Sequence, residues 1–281
     1  MALTFQKGEN DKIFITKLTR NDNKAVNALS VNDVEYYNGV DRVEASEDLT
    51  PVTMIHGGTV NTGYSYADTN KVAILNFADA IKFGGWVEYG AQTQEENICR
   101  CTNIYPVLGS AKSYKNYYKP NKDSLITRVD SSDLSHYGRP DEVYTDRIIY
   151  ARNVTVFKDD TTYENVPPRQ LDVITCPAPS ACMEESVATM TFTKRIIQIV
   201  LSAIQNKAEC IVLGAWGCGA FGQSPELIAR AFARVLNNYG GYFKHIVFAI
   251  KPTPNWGEDD MYNTFDEILS KYYKGGVMYE E

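Results

Sequence analysis

Short apolar runs alternate along most of the chain with longer segments in which apolar residues recur at helical spacing. Val72–Phe77, Cys210–Leu213 and His245–Ile250 are continuous apolar runs of the length expected for buried strands. Further strand candidates lie at residues 147–150, 154–157 and 171–176. Buried strands that alternate with amphipathic helices predict an α/β fold with a layered sheet.

Helices are predicted where capping residues precede the helical spacing. Thr93 and Glu96 fit a capping box, and the helix they open is expected to extend to about residue 108. Ser224 followed by Pro225 is a strong helix-start signal. Two more helices are predicted at residues 191–206 and 265–272.

A change in hydrophobic periodicity near residue 50 suggests the domain organisation. Residues 1–50 are polar and weakly periodic, and we predict that they form an appended helical or irregular segment. Residues 51–281 are then expected to form one domain. Within it, residues 109–145 are rich in Tyr, Asn, Asp and Ser, which predicts loops.

Composition narrows the classes of function. The chain has 281 residues and a net charge of -7, which argues against a broadly basic surface for nucleic acid. Six cysteines without a C-x-x-C pair, and only three histidines, predict no metal site. We recognise neither a signal peptide nor a run of about 18 apolar residues, so we expect a cytoplasmic protein with reduced cysteines and no membrane contact.

A glycine-rich segment between a strand and a helix is the first candidate site. Residues Gly217 to Gly222 match G-x-G-x-x-G, where glycines let a backbone approach a diphosphate at a helix N-terminus. A nicotinamide-dependent oxidoreductase is one interpretation. The motif lies late in the chain, however, and the next strand ends at Lys251 without an acidic residue to hold a ribose. A plain tight turn is the other alternative.

The second candidate combines Gly84 and Gly85 with Gln94, Glu95 and Glu96. Acidic residues in the first turn of a helix are favoured by the helix dipole, so the two glutamates can be purely structural. The functional alternative is a carboxylate pair in which one member stays partly protonated beside a diphosphate clamp. Such a pair suits cleavage of a glycosidic bond on a nucleoside diphosphate sugar.

Four motifs in order make the resemblance specific. The chain resembles the microbial-type poly(ADP-ribose) glycohydrolase family over roughly residues 70 to 250. The matching motifs are Asn76-Phe77-Ala78 with Gly84-Gly85-Trp86 and Gln94-Glu95-Glu96, residues 144–149, residues 175–179, and residues 214–222.

The resemblance implies a macrodomain, with a mixed sheet sandwiched between helices, that needs no cofactor and binds ADP-ribose or an ADP-ribosylated macromolecule. It would bind nucleic acid only where the nucleic acid carries ADP-ribose. Glu96 would protonate the leaving oxygen and then activate water, while Glu95 would hold a hydroxyl of the distal ribose. Asn76 and Gln94 would position that sugar and the Glu pair, and Gly84 and Gly85 would lie against the diphosphate. The second phosphate loop would comprise Ala215, Trp216, Gly217, Cys218, Gly219 and Ala220, with Phe221 on the distal ribose.

Two departures from the family pattern bear on the substrate. Trp86 replaces the third glycine, and Asp79 stands where the family often has Asn. A tryptophan adopts positive φ less readily than glycine, and a carboxylate repels a diphosphate. We expect Trp86 to form a wall over bound ADP-ribose, which could narrow the substrate to a single ADP-ribosyl group. A non-catalytic ADP-ribose-binding macrodomain, which needs neither glutamate, remains the other alternative.

Overall fold

The architecture is one mixed sheet between two layers of helices. The computed structural model describes residues 33–126, 144–179, 185–252 and 260–279. Its strands are β1 (Val34–Tyr37), β2 (Val52–His56), β3 (Val72–Phe77), β4 (Ile148–Lys158), β5 (Asn165–Cys176), β6 (Cys210–Leu213), β7 (His245–Ile250) and β8 (Val277–Tyr279). Their spatial order is β1-β4-β5-β3-β6-β7-β2-β8, and the neighbours from β5 to β8 are parallel while β1/β4 and β4/β5 are antiparallel.

The helices cover both faces of this sheet. The longer ones are α1 (Thr59–Tyr66), α2 (Gln94–Cys101), α3 (Lys119–Ile126), α4 (Glu185–Gln205), α5 (Pro225–Tyr239) and α6 (Asp260–Tyr272). Shorter helical turns occupy Val87–Tyr89, Tyr105–Leu108, Ala111–Ser113, Tyr114–Tyr118 and Gly240–Tyr242. One apolar cluster joins the sheet to α4, α5 and α6, and a second joins the opposite face to α1 and α2. The predicted α/β fold with a mixed sheet between helices is confirmed.

Most predicted strands and helices appear, with informative differences in their bounds. The candidates at 147–150 and 154–157 are a single strand, β4, interrupted by an irregularity of register between Ala151 and Val154. Asn153, within this irregularity, has a φ of 57°, a conformation that asparagine tolerates better than most residues. Helix α2 ends at Cys101 instead of near residue 108, because Thr102 is extended and forms a bridge with Val156.

The segment predicted to be appended contributes to the sheet. Residues 1–32 lie outside the described residues, but Val34–Tyr37 form β1, the edge strand on β4. Thr50 Oγ1 donates a hydrogen bond of 2.5 Å to the carbonyl of Phe243, next to β7. The boundary predicted at residue 50 is therefore wrong for residues 34–50, since a short polar edge strand carries little hydrophobic periodicity.

The predicted loop region after residue 109 is largely helical where it is described. Residues 111–126 form two short helices joined by a π-helix, and Tyr117 and Tyr118 on that π-helix are fully buried. The interleaved lysines and tyrosines of this stretch therefore include core residues. Asn121, also buried, donates to the carbonyl of Ala80 and accepts from the backbone N–H of Thr145. This region consequently supports the loop that follows β3.

Helix α4 is long and apolar enough to cross a membrane by length and composition alone. Half of its most apolar window is buried within the fold, and Phe192, Ile196 and Ile199 are part of the core on one face of the sheet. This is the pattern of a core helix.

A fully buried arginine on α4 ties together two of the chain's motifs. Arg195 Nη1 donates to the carbonyl of Pro177 at 2.8 Å, Nη2 donates to the carbonyl of Tyr144, and Nε pairs with Asp146 at 3.2 Å. Tyr144 and Asp146 lead into β4, and Pro177 follows β5. One side chain thus fixes the segments flanking both strands.

We predict that Arg195→Met destabilises the fold by about 3 kcal/mol, the scale of a broken buried ion pair, because two buried hydrogen bonds and the partly buried bond to Asp146 are lost together. Denaturant unfolding monitored by tryptophan fluorescence measures the change. Arg230→Met is the matched control, since the Arg230–Glu226 pair is exposed on one helix. Equal unfolding midpoints for wild type and Arg195→Met would contradict the assignment.

Candidate active site

A cavity of about 340 Å³ opens at the carboxyl ends of the parallel strands. In α/β sheets this edge is where ligands bind, because loops from several strands converge there. The walls come from the segments after β2, β3, β6 and β7, and from the start of α2. Of the residues predicted from the sequence, those that line the cavity are Gln94, Ala215, Gly217, Gly219, Ala220 and Phe221.

Gln94 anchors the start of α2 to the end of β3. Its Oε1 accepts from the backbone N–H of Phe77 at 2.8 Å, and its Nε2 donates to the carbonyl of Leu75 at 2.6 Å. The pairing of β3 with β6 ends at Ile74, so the amide side chain continues the hydrogen-bond pattern where the neighbouring strand stops. This anchoring fixes the direction of the next two side chains.

Glu95 is the deeper of the two carboxylates, with only 2% of its surface exposed. It accepts from the backbone N–H of Asp79 at 2.8 Å and from Asn76 Nδ2 at 3.4 Å. Asn76, itself fully buried, also donates to Thr175 Oγ1 on β5. Burial raises the pKa of Glu95 well above its ordinary value, and the neighbouring carboxylates of Asp79 and Glu96 raise it further.

Glu96 is buried next to the cavity wall, although neither it nor Glu95 lines the cavity. Its Oε1 accepts from the backbone N–H of Trp86 at 2.8 Å, and its Oε2 accepts from the hydroxyl of Thr93. Thr93 is a wall residue of the cavity. Thr93 is the residue before α2, as predicted. Its hydroxyl bonds the Glu96 carboxylate and does not accept from a helix N–H. The expected capping box is therefore replaced by this hydroxyl–carboxylate contact.

Gly84 and Gly85 lie on the loop that follows β3, and their contact with a diphosphate stays a prediction. Both are buried with positive φ, and neither lines the cavity. A Cβ on Gly85 would overlap Glu96 Oε1, and a Cβ on Gly84 would lie 2.6 Å from the ring of Tyr105. The N–H of Gly85 donates to the carbonyl of Lys82. Gly85 lets the backbone approach the carboxylates, and Gly84 lets it approach Tyr105.

The two departures from the family pattern are accommodated locally. Trp86 has a φ of -106°, so the position does not require glycine, and its side chain is 41% exposed and outside the cavity walls. The expectation that Trp86 forms a wall over bound ADP-ribose stays a prediction. Asp79 accepts from the backbone N–H groups of Ile81 and Lys82 at 2.8 and 2.9 Å, and it likewise does not line the cavity.

The second glycine-rich loop divides into buried and cavity-facing residues. Trp216 and Cys218 are buried, and the indole of Trp216 donates to the carbonyl of Cys176 at 3.1 Å while it packs edge-on against Phe192. Their side chains hold the loop against the core. Ala215, Gly217 and Phe221 face the cavity instead.

This loop presents hydrogen-bond donors to the cavity. Among the described residues, the backbone N–H groups of Gly217, Gly219, Ala220 and Phe221 have no backbone acceptor. Successive free N–H groups of this kind bind anions, because they attract negative charge without the entropy loss of ordering long side chains. The loop is therefore suited to a diphosphate, as predicted for the second phosphate loop.

The sequence analysis missed the wall opposite α2. Gly57, Gly58 and Thr59 follow β2 and line the cavity together with Asp160 and Lys251. Asp160 Oδ2 accepts from the N–H of Val60 at 3.0 Å, and Oδ1 pairs with Lys251 Nζ at 3.4 Å. The glycine pair after an apolar run was an available signal. Within the described residues, no group of three or more His, Cys, Asp and Glu side chains is arranged to hold a metal ion.

We predict that Glu95→Gln stabilises the fold and that the gain grows with pH. The raised pKa of Glu95 means that the buried site favours the neutral acid. The contribution of neutral Glu95 to stability is therefore complete below its pKa in the unfolded chain, about 4.3, and is lost as pH rises through its higher pKa in the folded chain. A glutamine side chain cannot ionise and escapes the loss. Thermal melts at pH 5 and pH 8 measure the effect. The gain in melting temperature is expected to be larger at pH 8 than at pH 5, by about 2–4 °C. The exposed Glu267→Gln is the control, and an equal gain at both pH values would refute the prediction.

Solved structures share this fold. Poly(ADP-ribose) glycohydrolase (PARG) from Thermomonospora curvata has a TM-score of 0.76 at 22% identity, over 92% of this chain and 99% of that chain. The same enzyme bound to the inhibitor ADP-HPD has a TM-score of 0.72 at 23% identity, with the same coverage. PARG from Deinococcus radiodurans in complex with ADP-ribose has a TM-score of 0.65 at 25% identity, over 94% of this chain and 93% of that chain. No curated protein matches the chain.

Sequence similarity identifies the family. Residues 7–159, more than half of the 281 residues, match the microbial-type PARG catalytic domain. The match begins within the segment that the sequence predicted to be appended, in agreement with the pairing of β1 in the sheet. Because this match spans more than half of the chain and the fold is shared, this chain belongs to the family of microbial-type PARG catalytic domains, which are glycohydrolases.

Proposed function

We propose that the Glu95–Glu96 pair hydrolyses the glycosidic bond of poly(ADP-ribose) while the released ADP-ribose unit occupies the cavity. The observation that carries this assignment is the position of Glu96, bonded through Thr93 to the cavity wall and through the Trp86 N–H to the loop beside it. The structures of D. radiodurans PARG with ADP-ribose support the choice of ligand. ADP-ribosylated proteins and nucleic acids are proposed as further substrates of the same site.

The diphosphate is assigned to the second loop. A diphosphate carries negative charge, and among the charged side chains that line the cavity Asp160 and Lys251 pair with each other. Binding must therefore rest largely on backbone N–H groups. The donors of Gly217, Gly219, Ala220 and Phe221 meet this need, and Phe221 adds an apolar surface for the adjoining ribose.

The two glutamates divide the reaction between them. Glu96, in its acid form, transfers a proton to the leaving oxygen as the bond from that oxygen to the anomeric carbon breaks, and the oxocarbenium ion forms. Glu96 then accepts a proton from the water that attacks this carbon, which regenerates the acid. Glu95, buried and with a raised pKa, holds a hydroxyl of the same ribose and orients it.

The fold is compatible with a cytoplasmic location, which we also propose. The five cysteines within the described residues are all free and buried, as expected for a protein from a reducing compartment.

ADP-ribose is predicted to bind and to stabilise the native state. A ligand that binds only the folded chain raises the melting temperature, by an amount that grows with its concentration over its Kd. A thermal-shift titration should show a larger increase with ADP-ribose than with AMP, because AMP lacks the diphosphate and the distal ribose. Absence of a shift at millimolar ADP-ribose would count decisively against the site.

Glu96→Gln should lower kcat by about a hundredfold or more, the usual effect of removing a general acid. Glutamine keeps the hydrogen bond from the Trp86 N–H, so ADP-ribose binding should persist. Release of ADP-ribose from poly(ADP-ribose) measures the rate, and mono-ADP-ribosylated protein is the parallel substrate. A wild-type rate for Glu96→Gln together with an inactive Glu95→Gln would reverse the two roles, and cleavage of the mono-ADP-ribosylated substrate alone would overturn the choice of polymer.

A further inference from the structure

An exposed aromatic group lies beside the two glutamates, on the loop between β3 and α2. Trp86 is 41% exposed and Tyr89 is 61% exposed, and their ring centroids are 5.2 Å apart. Lys82 Nζ lies 3.2 Å from the centroid of the Trp86 ring and 4.3 Å from that of Tyr89. We call Lys82, Trp86 and Tyr89 the aromatic platform. The ammonium holds the two rings together through cation–π contacts while much of both rings stays in contact with solvent.

The platform and the cavity wall contact Glu96 through different carboxylate oxygens. The N–H of Trp86 bonds Glu96 Oε1, whereas Thr93, which bonds Oε2, is a wall of the cavity. None of the three platform residues lines the cavity. A substrate whose ADP-ribose fills the cavity and whose glycosidic bond reaches Glu96 can therefore direct its leaving group towards the platform.

The chemistry of the platform favours a planar base over a phosphate. Burial lowers the pKa of Lys82, while the carboxylates of Asp79 and Glu88 raise it, so the ammonium lies in a partly acidic setting. That setting disfavours an additional anion. Exposed aromatic rings next to a cation instead provide a stacking surface, and stacking on aromatic side chains is a general way to bind bases.

In poly(ADP-ribose) the leaving oxygen belongs to a ribose that itself carries adenine. The base is thus one sugar away from the bond that breaks, whereas a protein substrate presents no base at this distance. The platform includes Trp86, whose backbone N–H bonds Glu96, so one of its rings belongs to a residue in direct contact with the carboxylate.

We propose that the aromatic platform is a binding site for the leaving-side adenosine of the polymer, with its adenine stacked on Trp86 and Tyr89. This inference rests on the proposed function, because it takes Glu96 as the point of cleavage. The platform would then favour polymer over leaving groups without a base and add affinity only on the leaving side.

The test compares two glycosides of ADP-ribose that differ only in the leaving group, adenosine linked through its 2′-hydroxyl or methanol. Wild type should prefer the adenosine glycoside. Trp86→Ala should lower the ratio of kcat/KM for the adenosine glycoside to kcat/KM for the methyl glycoside roughly tenfold, the scale of one lost base–aromatic stack. Trp86→Phe keeps a ring and should restore most of the preference. Tyr279→Ala, which removes an exposed aromatic ring on β8, is the matched control.

Binding separates failure of this inference from failure of the proposed function. In the Glu96→Gln variant, the adenosine glycoside should have a lower Kd than ADP-ribose. Adding Trp86→Ala to this variant should remove the difference between the two Kd values without changing the Kd of ADP-ribose. If wild type cleaves neither glycoside, the proposed function fails and the binding difference still decides on the platform. An unchanged adenosine preference in Trp86→Ala overturns the inference. A selective loss with an ADP-ribosylated oligonucleotide, and none with the adenosine glycoside, would assign the platform to nucleic acid instead.

Discussion

The placement of two adjacent carboxylates in a buried helix N-terminus is the constraint on which the rest of the site depends. Removing Glu95 and Glu96 from water is unfavourable unless hydrogen bonds replace the lost hydration. The backbone supplies these bonds through the N–H groups of Asp79 and Trp86, both on the loop after β3. That loop must therefore fold back against α2, and Gly85 is needed because any Cβ there would collide with Glu96. The raised pKa of Glu95 is the remaining energetic consequence.

The loop of residues 214–222, on the other side of the site, is held in place by its buried side chains. Trp216 and Cys218 are directed into the core, so the glycines and Ala220 between and after them expose their backbone to the cavity. Arg195 stabilises the neighbouring segment after β5, to which the Trp216 indole is bonded. Backbone donors line the cavity, the two glutamates lie next to its wall, and the charged side chains in the lining are few and paired, as suits a ligand with both an anionic and a neutral part.

Much of this arrangement could be predicted from residues, and the failures have physical causes. Val72–Phe77, Cys210–Leu213 and His245–Ile250 are strands with the predicted bounds, because fully buried parallel strands are continuous apolar runs. Helix α1 has no comparable signal: Gly63 lies in its middle, where a Cβ would be 2.6 Å from Ile74, so close packing has replaced helix propensity. The sequence did not reveal that Gly84, Gly85 and Trp86 lie outside the cavity lining, because spacing does not specify which face of a loop meets a cavity. Asp160 comes from a hairpin about 65 residues after the glutamates, a proximity that no local pattern reveals.

The central claim is that the cavity and Glu96 share one ADP-ribose molecule, and a crystal structure of the Glu96→Gln chain with ADP-ribose tests it most directly. The account predicts a diphosphate bonded to the backbone N–H groups of residues 217–221 and the anomeric hydroxyl of the distal ribose within hydrogen-bond distance of the side chain at position 96. Adenine beside the residue 95–96 pair, or a diphosphate bound away from the 217–221 loop, would contradict it.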